Sequence, residues 1–582
     1  MNSSGYFGTK DKLPPLISLR AGPVVCTYEL GKLRYIYHQD EELLRMVYVA
    51  VRDQEWNTIP YSIEKENIVN TQNSFSIRYT ALFKQKEVSY RAEVELIGNS
   101  DGEISCSLQG TAESDFLRNR IGFCVLHPID SCVGQPVEIT QPDGKTYAGT
   151  FPDLISPHQP FLKIAALGWH TRTGFEAQLR FEGDEFETED QRNWTDHSFK
   201  TYSTPLRLVK PVAIKKGDQI WQKVVFQPVS NLPFVSQVKI QCIDITEHGT
   251  VPFPALGLAR NALTLTPQDI SRLHQVPFDH YRYTINLAEV DWIQDFRRVY
   301  ADARLLFTSL ELVVEFGHNV WQELVELVTE LTAKSTQISS ILVVPLWDGK
   351  NSGQFEMVYD VLKKYFPAIP VGYGTQQFFA ELNRNRPTHE AFDFVSFSVN
   401  PQVHAFDFRT IIENCEAQAY TIHTAQSFVD STKSIHCSPL TFRVRDSAYA
   451  HDPRLHTDFA AAYMLLSLRY LAGVSQLTLF ETHGENGLMP AAGDESRRKT
   501  FPVFDYLKQI KLFKPTLLGL THSSNPRCCD CLLLQNEAGE KRYYVINFST
   551  QKCKIRLNES DRILQLLPES ISLWDGKEHR VC

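Results

Sequence analysis

Residues 181–206, FEGDEFETEDQRNWTDHSFKTYSTPL, carry seven carboxylates between positions 181 and 196, set around Arg192, Asn193 and Trp194. Carboxylates crowded this closely raise one another's pKa unless a cation, a ligand hydroxyl or a shared proton intervenes. Phe181, Phe186, Trp194, Phe199 and Tyr202 interleave the charges, which sets the run apart from an ordinary solvated acidic loop. It fits neither a regular strand nor a regular helix. A catalytic carboxylate pair, a metal site and a polar wall of Glu189, Asp190, Arg192 and Asn193 that binds ligand hydroxyls all remain open at this point.

Two later runs also carry acid–base groups. The run 480–487, FETHGENG, puts Glu481, His483 and Glu485 directly behind an apolar stretch. The run 398–406, SVNPQVHAF, supplies Asn400 and His404. A lone histidine is more often a satisfied structural group than a catalyst, but its pKa suits proton transfer near neutrality.

Elements that could position these residues follow from periodicity. Between about 24 and 238 the chain reads as short alternating runs rich in Val, Ile, Tyr and Phe, such as KLRYIYH at 32–38 and VSYRAEVEL at 88–96. That spacing predicts a large antiparallel β-sandwich, supersandwich-like, over residues 1–240. From about 254 apolar runs alternate with helical ones. The strand candidates are 255–259, 281–287, 310–316, 339–346, 369–374, 392–399, 435–444 and 476–480, with the clearest helices at 293–306, 320–333, 356–365, 378–385 and 458–472. Eight strand candidates with interleaved helices predict a (β/α)8 barrel over 241–510; a doubly wound sheet is disfavoured because no Gly-rich dinucleotide fingerprint follows any strand. Strand candidates at 531–535, 542–548, 554–557 and 563–567 make 511–582 a small C-terminal β-sandwich.

In a (β/α)8 barrel the reacting groups sit at the C-terminal strand ends. The polar residues there are Arg260 and Asn261, Glu289 and Asp291, Glu315 and His318, Trp347 and Asp348, Tyr373 and Thr375, Asn400 and His404, Arg443 and Arg445, and Glu481, His483 and Glu485. They form a cup suited to a small polyol or sugar. Retaining glycosidases on such barrels place an Asn-Glu pair after strand four and a Glu after strand seven. Here strand four ends PLWDG and strand seven TFRVR, so arginines stand where the nucleophile would be and the mouth is prepared for negative charge.

Composition narrows the partners. A net charge of -9 and a pI near 6.1, with no basic run, argue against nucleic acid. The N-terminus lacks a signal-peptide pattern and no apolar window reaches membrane-spanning length, so no membrane partner is expected. Most of the twelve cysteines lie singly in apolar runs, as buried reduced thiols do in a cytoplasmic protein. Cys528 and Cys531 form a CxxC without a second pair, and there is no HExxH, so no metal or other cofactor is expected. There is also no GxSxG nucleophile elbow.

The run at 182–206, with FPDLISPHQPF at 151–161, RIGFCVLHP at 120–128 and FETHG at 480–484, resembles the D-apionate lactonase family, and the resemblance spans essentially the whole chain. It implies a hydrolase that opens D-apionolactone to D-apionate in bacterial catabolism of a branched pentose. A small sugar lactone is then the expected partner. Lactone opening needs activated water, a stabilised oxyanion and a proton for the leaving ring oxygen. Glu481 or His404 is the candidate base, Arg443 or Arg445 the oxyanion partner, and Glu315 or Asp348 the proton donor. Glu189, Asp190, Arg192, Asn193, Asn400 and His483 are candidate substrate-binding residues. A glycosidase using Glu315 and Glu481, and a non-catalytic carbohydrate-binding protein, are the alternatives.

Overall fold

The computed structural model of the chain describes residues 13–229, 242–276, 278–344, 352–443, 451–491, 500–558, 562–575 and 579–581. These form two compact units, one of residues 13–192 and 197–229, the other of 193–196 and the chain from 242 onward.

The first unit is an antiparallel sandwich of two nine-stranded sheets. Its strands show the predicted alternation: in Val88–Gly98 every second residue is buried and the others are more open, because successive side chains point to opposite faces. The longest pairing joins Phe75–Gln85 to Val88–Gly98 in continuous register.

The acidic run departs from its expected irregularity. Phe186–Asp190 and Ser198–Tyr202 are neighbouring antiparallel strands joined through a short 3-10 turn, Gln191–Trp194, and both strands are buried throughout. The strands tolerate this because their charges are neutralised in place. Glu189 lies opposite Lys200 and forms an ion pair with it. Tyr202 donates from its hydroxyl to Glu187 at 2.6 Å, and the Leu206 amide donates to the same oxygen at 2.6 Å.

In the second unit eight parallel strands close into a barrel: Ala255–Ala259, His280–Asn286, Ser309–Glu315, Ile338–Val344, Val371–Phe378, Phe394–Val399, Ser434–Leu440 and Gln476–Glu481. Near-continuous apolar runs gave these strands away, as expected where both faces of a parallel sheet are covered. The helices Trp292–Leu305, Val320–Thr332, Ser352–Tyr365, Phe379–Arg384 and Asp458–Tyr470 fall where periodicity placed them. Among the described residues no helix is long and apolar enough to cross a membrane.

The C-terminal β-structure is an eight-stranded sheet curled around one apolar interior that includes Ile245, Cys531, Leu533, Val545, Ile555 and Leu566. One of its strands, Ile243–Pro252, comes from before the barrel, pairing antiparallel with Pro515–Ser523 and parallel with Cys553–Leu557. The sheet therefore draws on residues that the sequence assigns to the barrel segment. Helix Asp458–Tyr470 is buried from Phe459 to Arg469, covered on all sides as a helix apolar around most of its surface must be. At its end Arg469 reaches Asp530 at 3.1 Å and donates to Thr521, while the Tyr470 hydroxyl donates to Asp530 at 2.6 Å.

Asp530 is fully buried, so removing it strands the Arg469 charge. Asp530→Ala is expected to cost about 3–5 kcal/mol in urea unfolding. A loss below about 1 kcal/mol would mean that the contact is solvated and structurally minor.

Candidate functional site

Parallel strands bring all eight C-terminal ends to one rim, and alternation decides which side chains turn inward. On the second strand His280, Arg282 and Thr284 share the inner face; on the third, Glu311 and Glu315 do. A lower polar layer forms around Glu311, which accepts from Thr478 at 2.7 Å and Ser438 at 3.0 Å and lies 3.3 Å from His280. Burial works to raise the Glu311 pKa, but His280, the Arg282 charge and Thr478 together hold it near 2.

Above this layer the rim is tied across strands. Gln376 on the fifth strand donates to Glu315 at 2.5 Å, and its carbonyl accepts from Arg282 at 2.7 Å and Thr284 at 2.9 Å. Glu315 is thereby engaged by a neutral amide, and Arg282 is held in one orientation. Burial depresses the Arg282 pKa.

Beside Arg282 opens a cavity of about 190 Å³, lined by Arg260, Arg282 and Arg443, by Glu481 and Asn486, and by apolar groups that include Phe442, Leu455 and Phe480. Pockets for drug-sized ligands run to about 300–1,000 Å³, so this one suits a single sugar ring. The last strand makes the site by a bulge. Leu258 pairs with Leu479 but Ala259 pairs with Glu481, and the extra residue, Phe480, sits at a positive φ of 37°. Phe480 and Glu481 consequently both line the cavity, which strict alternation forbids. A left-handed phenylalanine is strained, and such strain persists only where the surroundings enforce it.

The charges around the cavity are unequally satisfied. Arg260 forms an ion pair with Asp295 at 2.8 Å. Glu481 accepts from the Asn261 amide, and its pKa is raised because burial outweighs that hydrogen bond and the nearby Arg443 charge. The Arg443 backbone is pinned by Asn400, whose amide donates to the Arg443 carbonyl at 2.8 Å. Among the described residues the Arg443 guanidinium has no ion-pair or hydrogen-bond partner.

Residues 4–231 match the family described as D-apionate lactonase, N-terminal domain, and residues 254–514 that described as D-apionate lactonase, TIM barrel domain. The chain is 27% identical over 539 residues to a D-apionate lactonase of Brucella anthropi, covering 84% of this chain and 86% of that protein. The chain belongs to the D-apionate lactonase family. Among solved structures, it is similar to a family 51 α-L-arabinofuranosidase from Bifidobacterium longum, with 10% identity, 57% of this chain and 94% of that one covered, and a TM-score of 0.41. It is also similar to a β-arabinopyranosidase, with 9% identity, coverage of 95% and 99%, and a TM-score of 0.34.

In this member of the family the residues singled out from sequence separate into groups. Glu481 and Arg443 share the cavity, and Glu315 stands one side chain away through Gln376. Asp348 and Arg445 lie outside the described residues. His404 donates from Nδ1 to Asp196 at 2.5 Å, and Asp196 also accepts from Asn414 at 2.6 Å. Trp194 packs edge-on against the His404 ring, at 5.2 Å between centroids. Residues 193–196 thus group with the barrel, where Asn193 accepts from Asn383 at 3.0 Å. His483 is buried, touches Thr482 at 3.0 Å through Nδ1, and has its pKa lowered by burial. Tyr373, named with the rim, instead turns toward the helix layer, where it donates to the Asn385 carbonyl at 3.0 Å and packs against Phe355.

Arg282 and Gln376 escaped sequence reasoning. Arg282 sits inside its strand rather than past it, and the fifth strand runs on to Phe378, beyond the expected end at 374. The usable signal was HYRYTIN, whose alternate residues are all polar.

Asp190 and Arg192 are bound to each other in the sandwich. Arg192 donates to Asp190 at 2.9 and 2.7 Å and to the carbonyls of Asp153 and Pro152 at 2.9 and 2.7 Å. Arg192→Ala is therefore expected to lower stability by about 3–5 kcal/mol in denaturant titration. A wild-type midpoint combined with a raised KM would identify Arg192 as a substrate ligand instead.

Proposed function

We propose that the chain hydrolyses D-apionolactone to D-apionate, with Glu481 as general base and Arg443 as the oxyanion partner. The supporting observation is the cavity itself, in which one carboxylate of raised pKa faces a cation left without a partner among the described residues. A water beside Glu481 loses its proton to the carboxylate as it attacks the lactone carbonyl. The tetrahedral oxygen gains its charge against Arg443, where a preorganised donor is worth most. Collapse breaks the bond to the ring oxygen, and the proton taken by Glu481 is delivered to that leaving oxygen. The product carboxylate is a natural ligand for guanidinium groups.

Raised basicity matters to this assignment, because a base works best with a pKa near the working pH. Arg282, fixed by Gln376, and Arg260, fixed by Asp295, add positive field without competing for the carboxylate. Glu481 is the single carboxylate among the described cavity-lining residues, whereas glycoside hydrolysis uses two. The free state of all eleven described cysteines fits the reducing cytoplasm in which we place this catabolic step.

Acid release from D-apionolactone, followed with a pH indicator against a buffer blank, tests the activity: a rate no faster than the blank would sink it. Gluconolactone tests how narrow the lactone class is. Glu481→Gln is expected to lower turnover at least about tenfold while folding is retained. Arg443→Ala is expected to lower it about tenfold to a hundredfold, less than a fully buried oxyanion donor would. If His404→Gln abolishes turnover and Glu481→Gln leaves it intact, the base is His404, held by Asp196.

A further inference from the structure

The CxxC pair of Cys528 and Cys531 is not what the fold brings together. Cys531 is fully buried in the interior of the C-terminal sheet, with its thiol toward the Leu532 carbonyl. Cys528 is partly exposed, and its Sγ lies 3.1 Å from Sγ of Cys553. Cys528 immediately precedes one strand and Cys553 opens another, and the two strands are not neighbours. Between Cys529–Asn536 and Cys553–Leu557 the sheet order places Pro515–Ser523 and Ile243–Pro252, so the thiols meet because the sheet curls.

The surroundings hold Cys553 in this position. Its thiol donates to the Asn547 side-chain carbonyl at 3.3 Å and lies 3.5 Å from the Ser549 hydroxyl. The Asn547 amide in turn donates to the carbonyls of Gln551 and Leu567 at 2.9 and 2.7 Å. The Phe548 amide donates to the Cys528 carbonyl at 2.9 Å, which ties both ends of this loop to one place. A disulfide needs sulfurs about 2.05 Å apart, so bonding requires an approach of only about 1 Å.

We propose that Cys528 and Cys553 form an oxidative modification site that closes to an intramolecular disulfide by exchange with a low-molecular-weight disulfide such as oxidised glutathione. Cys528, the more accessible thiol, loses its proton to solvent and attacks one sulfur of the small disulfide, which releases one small thiol and leaves a mixed disulfide. Cys553 then loses its proton and attacks the Cys528 sulfur, releasing the second small thiol. Two protein thiols are oxidised and one disulfide is reduced to two thiols. Burial, with the hydrogen bond to Cys553, pushes the Cys528 thiol up to about 12, so the pair rests reduced and closes under sustained oxidation. The crosslink restrains the unfolded chain across strand Lys541–Asn547 and leaves the barrel mouth untouched.

The full chain incubated with oxidised glutathione, digested without reduction and mapped by mass spectrometry tests this. The expected result is one linked peptide pair joining Cys528 to Cys553, a fall in titratable thiols in denaturant from twelve to ten, and a higher thermal midpoint, with lactone turnover within twofold of the untreated protein. Cys528→Ser should abolish both the link and the shift in midpoint. Twelve remaining thiols, stable glutathionylation of Cys528 without a crosslink, or a link to a different cysteine would each overturn the proposal. The mapping on the unmodified sequence stands even if the serine variant fails to fold.

Discussion

Burial of charge is the constraint that organises this protein. Taking an ion out of water costs several kcal/mol, and the cost is met only by close, well-aligned partners. Nearly every buried charge described above has one: Asp190 with Arg192, Glu189 with Lys200, Glu311 with His280, and Asp530 with Arg469. These pairs allow carboxylates to occupy strand interiors, and they explain why a segment so rich in acid is one of the most buried in the sandwich. The rim cavity departs from this pattern. There Glu481 receives one amide hydrogen bond and remains more basic than an ordinary glutamate, while the Arg443 guanidinium has no partner among the described residues.

That incomplete pairing has a structural cause. The bulge at Phe480 turns Glu481 into the mouth, and the polar tie among Glu315, Gln376 and Arg282 keeps a second guanidinium from neutralising it. Asn400 fixes the backbone of Arg443, so its placement does not depend on an ion pair with Glu481. Under the proposed mechanism, charges held at the cavity before reaction would act on a developing oxyanion more strongly than mobile solvent does. Sites of this kind store some instability locally, which the fully paired ions elsewhere in the fold offset.

Much of the architecture was legible from local pattern. The eight barrel strands announce themselves as apolar runs, and Glu481 is visible as the first polar residue after the last of them. What local pattern misses is pairing across distance. Lys200 neutralises Glu189 only once two strands align, and Asp196 meets His404 across 208 residues. Ile243–Pro252 joins a sheet whose other strands all follow the barrel, so its sequence alone points to the wrong neighbour. Arg282 and Gln376 lie within strands rather than after them, where a search confined to loops does not look. The thiol contact between Cys528 and Cys553 likewise exists only after the sheet curls.

The pH dependence of kcat/KM for D-apionolactone tests the central claim most directly. Burial raises the Glu481 pKa above its ordinary value near 4.5, and the proposed base would act as the carboxylate. Activity should therefore rise with pH along a limb whose midpoint lies above 4.5, and that limb should vanish in Glu481→Gln. An ascending limb that survives unchanged in the variant would contradict the account and move the base to another residue.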